Sequence, residues 1–376
     1  MGLRICAPRE TANGENRVAI SPASARRFVA GGHSVAVEKG AGLSAGFEDA
    51  DYKQAGATLE CNVSEMFRAA DMVLCIAPPE AAGIDHMTEG TLIAGMLNPY
   101  DNRGLLQILA ERRMTAIALE LVPRITRAQS MDALSSQSSL AGYRAVIIGA
   151  EALGSIFPLM MTAAGTLFPA RVLVLGAGVA GLQAIATAKR LGAETWGYDI
   201  RTAAAEQVES LGARFVDLNE GAPEGAADTE TEGGYARELD EAEAGRRRRL
   251  LAEHIARADV VITTALVPGR PAPRLIDAET ARGMKRGSVI VDLAGPAGGN
   301  CELTRPGETF REGGLTILAP LNLPADVPTH ASQLLARNLS ALVAEVIGDN
   351  GLAVDLENDV IGPCCVTHAG EIRFGG

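Results

Sequence analysis

The sequence predicts an α/β protein of two doubly wound parallel-sheet domains joined by two long helices, with a cleft between them. Three observations carry that expectation. Short apolar runs alternate with amphipathic stretches in two successive series, the pattern of βαβ units feeding a parallel sheet. The 376 residues exceed what one ordinary core accommodates. Forty-two glycines with only 4% aromatic residues fit an α/β chain with many close turns.

The first domain is expected over residues 1–130 plus 330–376. "LRICAP", "HSVAVE", "MVLCIAP", "TLIAGM" and "TAIALE" are short apolar runs suited to buried parallel strands. In "SPASARRFVAGG" Ser21 is placed to cap a helix, Pro22 takes its first position and Gly31 ends it. No glycine-rich fingerprint occurs in this domain. A long helix is expected from about Met131 past Tyr143, leading into a second domain over 131–329. There "RVLVL", "ETWGYDI", "RFVDL", "DVVITTAL", "SVIVDLA" and "LTILAP" supply a second sheet. After Pro328, "HASQLLARNLSALVAEVI" reads as an amphipathic helix returning the chain to the first domain, and the tail after Gly351 reads as irregular. From about 219 to 245 the chain is acidic and almost free of apolar residues, and "RRRR", Arg246 to Arg249, follows. A solvated loop before a charged helix face is one reading. A mobile lid is the other, because long loops in compact domains are uncommon and Tyr235 stands beside Gly233 and Gly234.

Composition narrows the function. A net charge of −12 argues against nucleic acid and against an anionic membrane surface. Six cysteines without CxxC spacing read as buried, reduced thiols. No secretion signal is expected, since "LRICAP" near the start reads as a strand. "AVIIGAEALGSIFPLMMTAAGTLF" is interrupted by Glu151 and Pro158, so no membrane insertion is expected. No metal site is expected.

Gly176-Ala-Gly178-Val-Ala-Gly181 lies between an apolar strand and a helix, the context that gives this spacing its meaning. Gly176 permits the tight turn, Gly178 lets a pyrophosphate approach the backbone and Gly181 allows close helix–strand packing. The helix start, with Val179 and Ala180, offers N–H groups and a positive dipole end to phosphates. Asp199 ends the next strand, followed by Ile200 and Arg201. A carboxylate there accepts hydrogen bonds from a ribose and repels an extra phosphate, so NAD is expected over NADP despite Arg201. This is a Rossmann-like site.

"RETANGENRVAISP", "AGLSAGFEDADY", "LAGYRAV", "LGAGVAGLQAIATAKRLGA" and "VDLAGPAGGNCE" together resemble the alanine dehydrogenase and transhydrogenase superfamily, in order and over nearly the whole chain. The two branches make different chemical demands. Reducing an imino or keto acid needs a proton donor and a cationic clamp. The resemblance places the lysine, histidine and aspartate of alanine dehydrogenases at Ala77, Asn98 and Pro296, none of which titrates; Arg17 alone remains. Hydride transfer between two nicotinamides needs only alignment and exclusion of water.

The resemblance therefore favours the transhydrogenase branch, and "RITRAQSMDALSSQ" is similar to its nicotinamide-holding loop. It assigns Arg124, Gln129, Asp132 and Ser135 to that task, with Arg124 and Asp132 expected to pair and Gln129 to orient the ring. It makes Tyr235, with Gly234, the closing residue of a mobile loop, and places Ala265 and Leu266 near the adenosine and nicotinamide riboses. Arg247 and His330 depart from the family pattern. The resemblance implies an NAD(H)-binding subunit that passes hydride to NADP held by a partner. It further implies a homodimer on the cytoplasmic membrane face, working with a membrane-spanning subunit and an NADP(H)-binding beta subunit. An alanine-dehydrogenase-type enzyme and a non-catalytic NAD-binding sensor are the rival readings.

Overall fold

The computed structural model describes residues 2–218, 241–267, 269–348 and 351–375. Two compact units divide the chain, Met1–Gln137 with Pro324–Gly376 as unit one and Ser138–Leu323 as unit two. In chain order unit one begins β1 (Arg4–Ala7), α1 (Pro22–Ala30), β2 (Ser34–Glu38), α2 (Asp49–Gln54), β3 (Thr58–Glu60), α3 (Val63–Arg68) and β4 (Met72–Leu74). It continues with α4 (Ala81–Ile84), β5 (Leu92–Gly95), α5 (Arg103–Glu111) and β6 (Thr115–Ala118). Helix α6 (Ala133–Ala152) leads into unit two, with the hairpin β7 (Met160–Thr162) and β8 (Gly165–Leu167). Then come β9 (Arg171–Leu175), α7 (Val179–Arg190), β10 (Glu194–Tyr198), α8 (Ala204–Ser210), β11 (Arg214–Phe215), α9 (Glu241–Arg257) and β12 (Val260–Thr263). Unit two closes with α10 (Ala278–Arg282), β13 (Val289–Asp292), β14 (Thr309–Glu312) and β15 (Leu315–Leu318). The return to unit one is α11 (Pro328–Ala344), the small hairpin β16 (Ile347–Gly348) and β17 (Gly351–Leu352), α12 (Ile361–Cys364), β18 (Cys365–His368) and β19 (Glu371–Ile372).

The sheet of unit one runs β19-β18-β6-β5-β4-β1-β2-β3, and that of unit two runs β11-β10-β9-β12-β13-β15-β14. Both share the order in which the chain winds outward from its first strand and then crosses to the other side. Strands β4, β5 and β6 are buried at every residue, as are β12 and β13. That is the condition of a parallel strand covered on both faces, and it explains why these strands read as continuous apolar runs. Ser21 caps α1 by accepting the Ser24 N–H at 3.2 Å, with Pro22 at the first helical position.

Three elements depart from the sequence expectations. The tail after Gly351 contributes β18, antiparallel to β6. Its "CVTH" is too short to show alternation, and burial of Cys365, Val366 and Thr367 against the free edge of β6 brings it into the sheet. Strand β14 pairs antiparallel with β15 through polar residues that carried no strand signal. The apolar segment after α6 contains the exposed hairpin β7–β8, and no helix among the described residues is long and apolar enough to cross a membrane. Five of the six cysteines are buried and Cys61 is exposed.

Candidate functional site

In unit two the first strand ends at Leu175 and the chain turns at Gly176, whose φ of +102° suits glycine. The Gly176 N–H donates to the Tyr198 carbonyl at 2.8 Å, and the Thr264 hydroxyl donates to the Gly176 carbonyl at 2.9 Å. A Cβ on Gly181 would sit 1.8 Å from that same carbonyl, so α7 can approach β9 only with glycine there. Gly142 of α6 is equally constrained, since its Cβ would lie 2.0 Å from the Ala180 carbonyl. Gly178 is different. A Cβ there would meet nothing within 4 Å, and as N-cap of α7 it supplies no side-chain acceptor to the first helical turn. Val179 beside it is exposed and Ala180 half-buried. Open space above an uncapped helix start is what an anionic pyrophosphate requires. The residues present therefore fit a dinucleotide.

Asp199 sits beside this corner. Its carboxylate accepts the Ala177 N–H at 2.7 Å and the Arg201 N–H at 2.9 Å, and Arg201 also donates from Nε at 2.9 Å and Nη2 at 3.0 Å. Burial raises its pKa, but the Arg201 guanidinium and the backbone N–H groups outweigh burial and hold it below the ordinary value. Ile200, between them, is half-buried. Arg201 is thus turned onto the acid, and the corner presents a carboxylate whose charge is already shared.

Beyond β12, Ala265 donates its N–H to Asn300 Oδ1 at 3.1 Å, and Asn300 Nδ2 donates to the Ala265 carbonyl at 2.9 Å. Leu266, next in the chain, is 50% exposed. Behind them Asp292, fully buried, accepts from Thr263 Oγ1 at 2.8 Å, the Asn300 N–H at 2.8 Å and Thr304 Oγ1 at 2.5 Å. Asp292 and Asn300 were missed as site-forming residues. The motif "VDLAGPAGGNCE" contains both, but nothing in its spacing says that one carboxylate gathers the loops after two strands.

In unit one, Arg124 and Gln129 are exposed, while Ala128 and Met131 of the 3-10 turn Thr126–Met131 are buried in the core. The expected pairing of Arg124 with Asp132 is not what the structure shows. Asp132 instead accepts the Ser135 N–H at 2.8 Å and the Ser135 hydroxyl at 2.5 Å. It acts as the N-cap of α6, because an orphan helix N–H is a nearer and less mobile partner than an exposed arginine. Arg17 is held as well. It meets Glu15 through Nε at 2.7 Å and Nη2 at 2.6 Å, and donates from Nη1 to Gln137 Oε1 at 2.8 Å.

Ala77, Asn98 and Pro296, at which the resemblance sets the acid and base groups of alanine dehydrogenases, hold no titratable side chain. The backbone of the first two is occupied by the protein's own carboxylates. Glu10 accepts the N–H groups of Ile76, at 2.6 Å, and Ala77, at 3.2 Å. Burial pushes its pKa up to about 7, against the pull of those two N–H groups. Glu120 accepts from Leu97 at 3.2 Å and from the Asn98 N–H, and burial raises it too. Asn98 adopts a left-handed φ of +47° and its side chain donates to Asp101 at 3.2 Å. Pro296 lies in the 3-10 turn after β13.

Tyr235 and Gly234 lie outside the described residues, as does most of the 219–245 segment. Arg247, buried on α9, hydrogen-bonds Tyr198, and His330 is exposed in the first turn of α11. Among the described residues no group of three side chains is arranged to hold a metal.

Comparison with known proteins places the chain in a family. Residues 6–141 match the alanine dehydrogenase/PNT N-terminal domain and residues 145–375 its C-terminal domain. The chain is 46% identical over 377 residues to an NAD(P) transhydrogenase alpha subunit of Rhodospirillum rubrum, covering 98% of this chain and 97% of the relative. A solved transhydrogenase structure from Sinorhizobium meliloti superimposes with a TM-score of 0.88 at 41% identity, covering 98% of this chain and 99% of that one. The alanine dehydrogenase of Halomonas elongata is more distant, at 30% identity over 95% of this chain and 91% of its own. By its sequence and fold the chain belongs to the alanine dehydrogenase/PNT family.

Proposed function

We propose that the chain is the NAD(H)-binding subunit of a proton-translocating NAD(P) transhydrogenase, in which hydride passes between NADH and NADP held by a partner subunit. One observation carries the reading. An open glycine corner in unit two coexists with a unit one whose proton-donor positions are Ala77 and Asn98, their backbone N–H groups already taken by Glu10 and Glu120. NAD(H), when bound, supplies the nicotinamide that gives or takes the hydride. The corner Gly176–Gly181 binds its pyrophosphate on the N–H groups that open α7, and Asp199 holds the adenosine ribose. Arg124 and Gln129, exposed on a turn with a buried underside, orient the amide of the ring, and Asp132 with Ser135 fixes the turn against α6. Ala265 and Leu266 border the riboses, and Tyr235 with Gly234 closes over the site. No proton is exchanged at this chain.

The partners follow from the same reading: a membrane-spanning subunit and an NADP(H)-binding beta subunit, with this chain peripheral on the cytoplasmic face. A homodimer is supported by the hairpin β7–β8, where Met161 is 77% and the adjoining Phe168 79% exposed. An apolar strand pair of that kind is expected to be covered by a second copy.

The test uses the pure protein with NADH and either an NADP-loaded partner domain or pyruvate with ammonia. Oxidation of NADH is expected only with the partner domain. Turnover with pyruvate and ammonia alone would overturn the proposal.

A further inference from the structure

We propose that Asn338 and Arg127 are positioning residues that hold the nicotinamide loop in its working shape, so that the chain's returning segment, together with the loop's own cap, sets the geometry of hydride transfer. This rests on the proposed role of the loop. Neither residue belongs to the group expected to touch the cofactor.

The loop from Arg124 to Ser136 is held locally by the Asp132–Ser135 cap and by the burial of Ala128 and Met131. Its 3-10 turn carries Gln129 outward, and a turn of this type is too short to be rigid alone. Two further ties come from residues more than two hundred positions away. Asn338, on α11 and only 6% exposed, reaches both ends of the segment that contains Asp132 and Ser135. Its Nδ2 donates to the Ser130 carbonyl at 2.8 Å, and its Oδ1 accepts from the Ser136 hydroxyl at 2.7 Å. The Ser130 carbonyl lies in the peptide that joins Ser130 to Met131, so this amide fixes the backbone one peptide beyond those that flank Gln129.

Arg127 makes the second tie, from the exposed side of the turn. Its Nε donates to Asp359 at 2.8 Å, Nη1 to Glu345 at 3.0 Å and Nη2 to Asn358 at 2.9 Å. Two of the three acceptors are tied to their neighbours: Asn358 donates to Glu345 at 3.1 Å, and its Oδ1 accepts the Val360 N–H at 2.8 Å. Arg127 is therefore held by an array of oxygens that only the fork of a guanidinium matches fully. Gln129 stands between the two anchors.

The experiment compares Asn338→Ala, Arg127→Ala, Arg127→Lys and the control Gln129→Ala in the protein assembled with its NADP-loaded partner. Three quantities are measured: NADH affinity by fluorescence, single-turnover hydride transfer at saturating NADH, and Tm. An ångström of misplacement lowers rates by about a hundredfold, and the two alanine variants are expected to slow transfer roughly 10- to 100-fold. NADH affinity, which is set mainly by the glycine corner, is expected to change less than about 3-fold on the same argument that only ring placement is disturbed. Arg127→Lys is expected to recover some of the rate. Parental transfer rates in both alanine variants overturn the proposal, as does a loss in which affinity, rate and Tm fall together. If Gln129→Ala keeps the parental rate, the reading of the loop fails instead, and that outcome is separate from the first.

Discussion

The two units use the same strand order and differ in what they do with the corner after the first strand. In unit two the corner is a glycine turn with nothing above Gly178. In unit one β1 ends at Ala7, the chain continues as a long loop to Ser21, and Glu10 is turned back onto the N–H groups of Ile76 and Ala77 after β4. Each corner also carries an arginine on a carboxylate two residues before it, Arg17 on Glu15 and Arg201 on Asp199. The first pair is nearly sealed, with side chains 10% and 5% exposed, and the second more open, at 29% and 9%. Topology thus provides two crevices, and side-chain chemistry decides which is left for a ligand. A carboxylate supplied by the chain occupies one. The other awaits an anion from outside.

The largest test of that contrast is Gly178→Val. The backbone there, with φ −78° and ψ −168°, accepts any residue, and the new side chain enters open space. The protein is expected to keep its Tm and lose NADH affinity by more than about a hundredfold, the cost of removing backbone contact with the pyrophosphate. Residual tight binding in this variant, read by fluorescence titration, would mean that unit one also holds a dinucleotide. Next is Glu15→Gln, which leaves the Arg17 cation without its buried partner. About 3 kcal/mol of stability is expected to be lost, read by urea unfolding. The matching Asp199→Asn should lose less stability, because Arg201 reaches solvent, and should weaken NADH binding instead. Equal destabilisation of the two variants would erase the distinction between a sealed corner and an open one. Smaller again is Asp132→Ala, which removes the cap of α6. It is expected to cost about 1 kcal/mol, the usual worth of an N-cap.

Much of this was legible in the sequence because it depends on local pattern. The alternation of apolar runs marked every central strand of both sheets, and Ser21-Pro22 marked the start of α1. The glycine spacing between β9 and α7 located the corner, since its three positions answer to three separate steric demands. What was not legible depends on partners distant in the chain. Arg124 and Asp132 are eight residues apart with opposite charge, so a pair was the economical expectation, but the start of α6 offered Asp132 a backbone donor. Strand β18 exists only because β6 presents an edge to it. Glu10 and Glu120 gave no signal, since a lone glutamate in a loop reads as solvated until the neighbouring strand ends are known. Asn338 was hidden in the same way, as a polar residue on the apolar side of an amphipathic helix.

Those buried glutamates give the effect most particular to unit one. The folded pKa of Glu10, about 7, lies above its ordinary value of 4.5, so between those values the folded state binds a proton that the unfolded state has released. The stabilisation tied to that proton is fully present below the ordinary value and is lost as pH rises through about 7. Glu15, Arg17 and Cys75 are the titratable or charged neighbours that feel this charge, and Glu10 in turn raises the buried Cys75. In Glu10→Gln the carboxyl no longer titrates, so the fall of Tm between pH 5 and 8 should flatten relative to the parent. The difference is expected to be several degrees, because a folded value of about 7 against 4.5 is worth roughly 2–3 kcal/mol over that range and ~1 kcal/mol shifts a unit of this size by roughly 2–4 °C. The opposite sign is expected from Asp199, whose lowered pKa makes its contribution disappear only as pH falls below the ordinary carboxyl range. Calorimetric scans of the parent, Glu10→Gln and Asp199→Asn from about pH 2 to pH 8 therefore separate the corners: unit one's carboxylate weakens the fold as pH rises from the ordinary carboxyl range toward 7, and unit two's as pH falls below that range. A parent and a Glu10→Gln variant with identical pH profiles would show that Glu10 is ionised throughout. Unit one's crevice would then be closed by an ordinary ion and not by a group that burial holds close to neutrality.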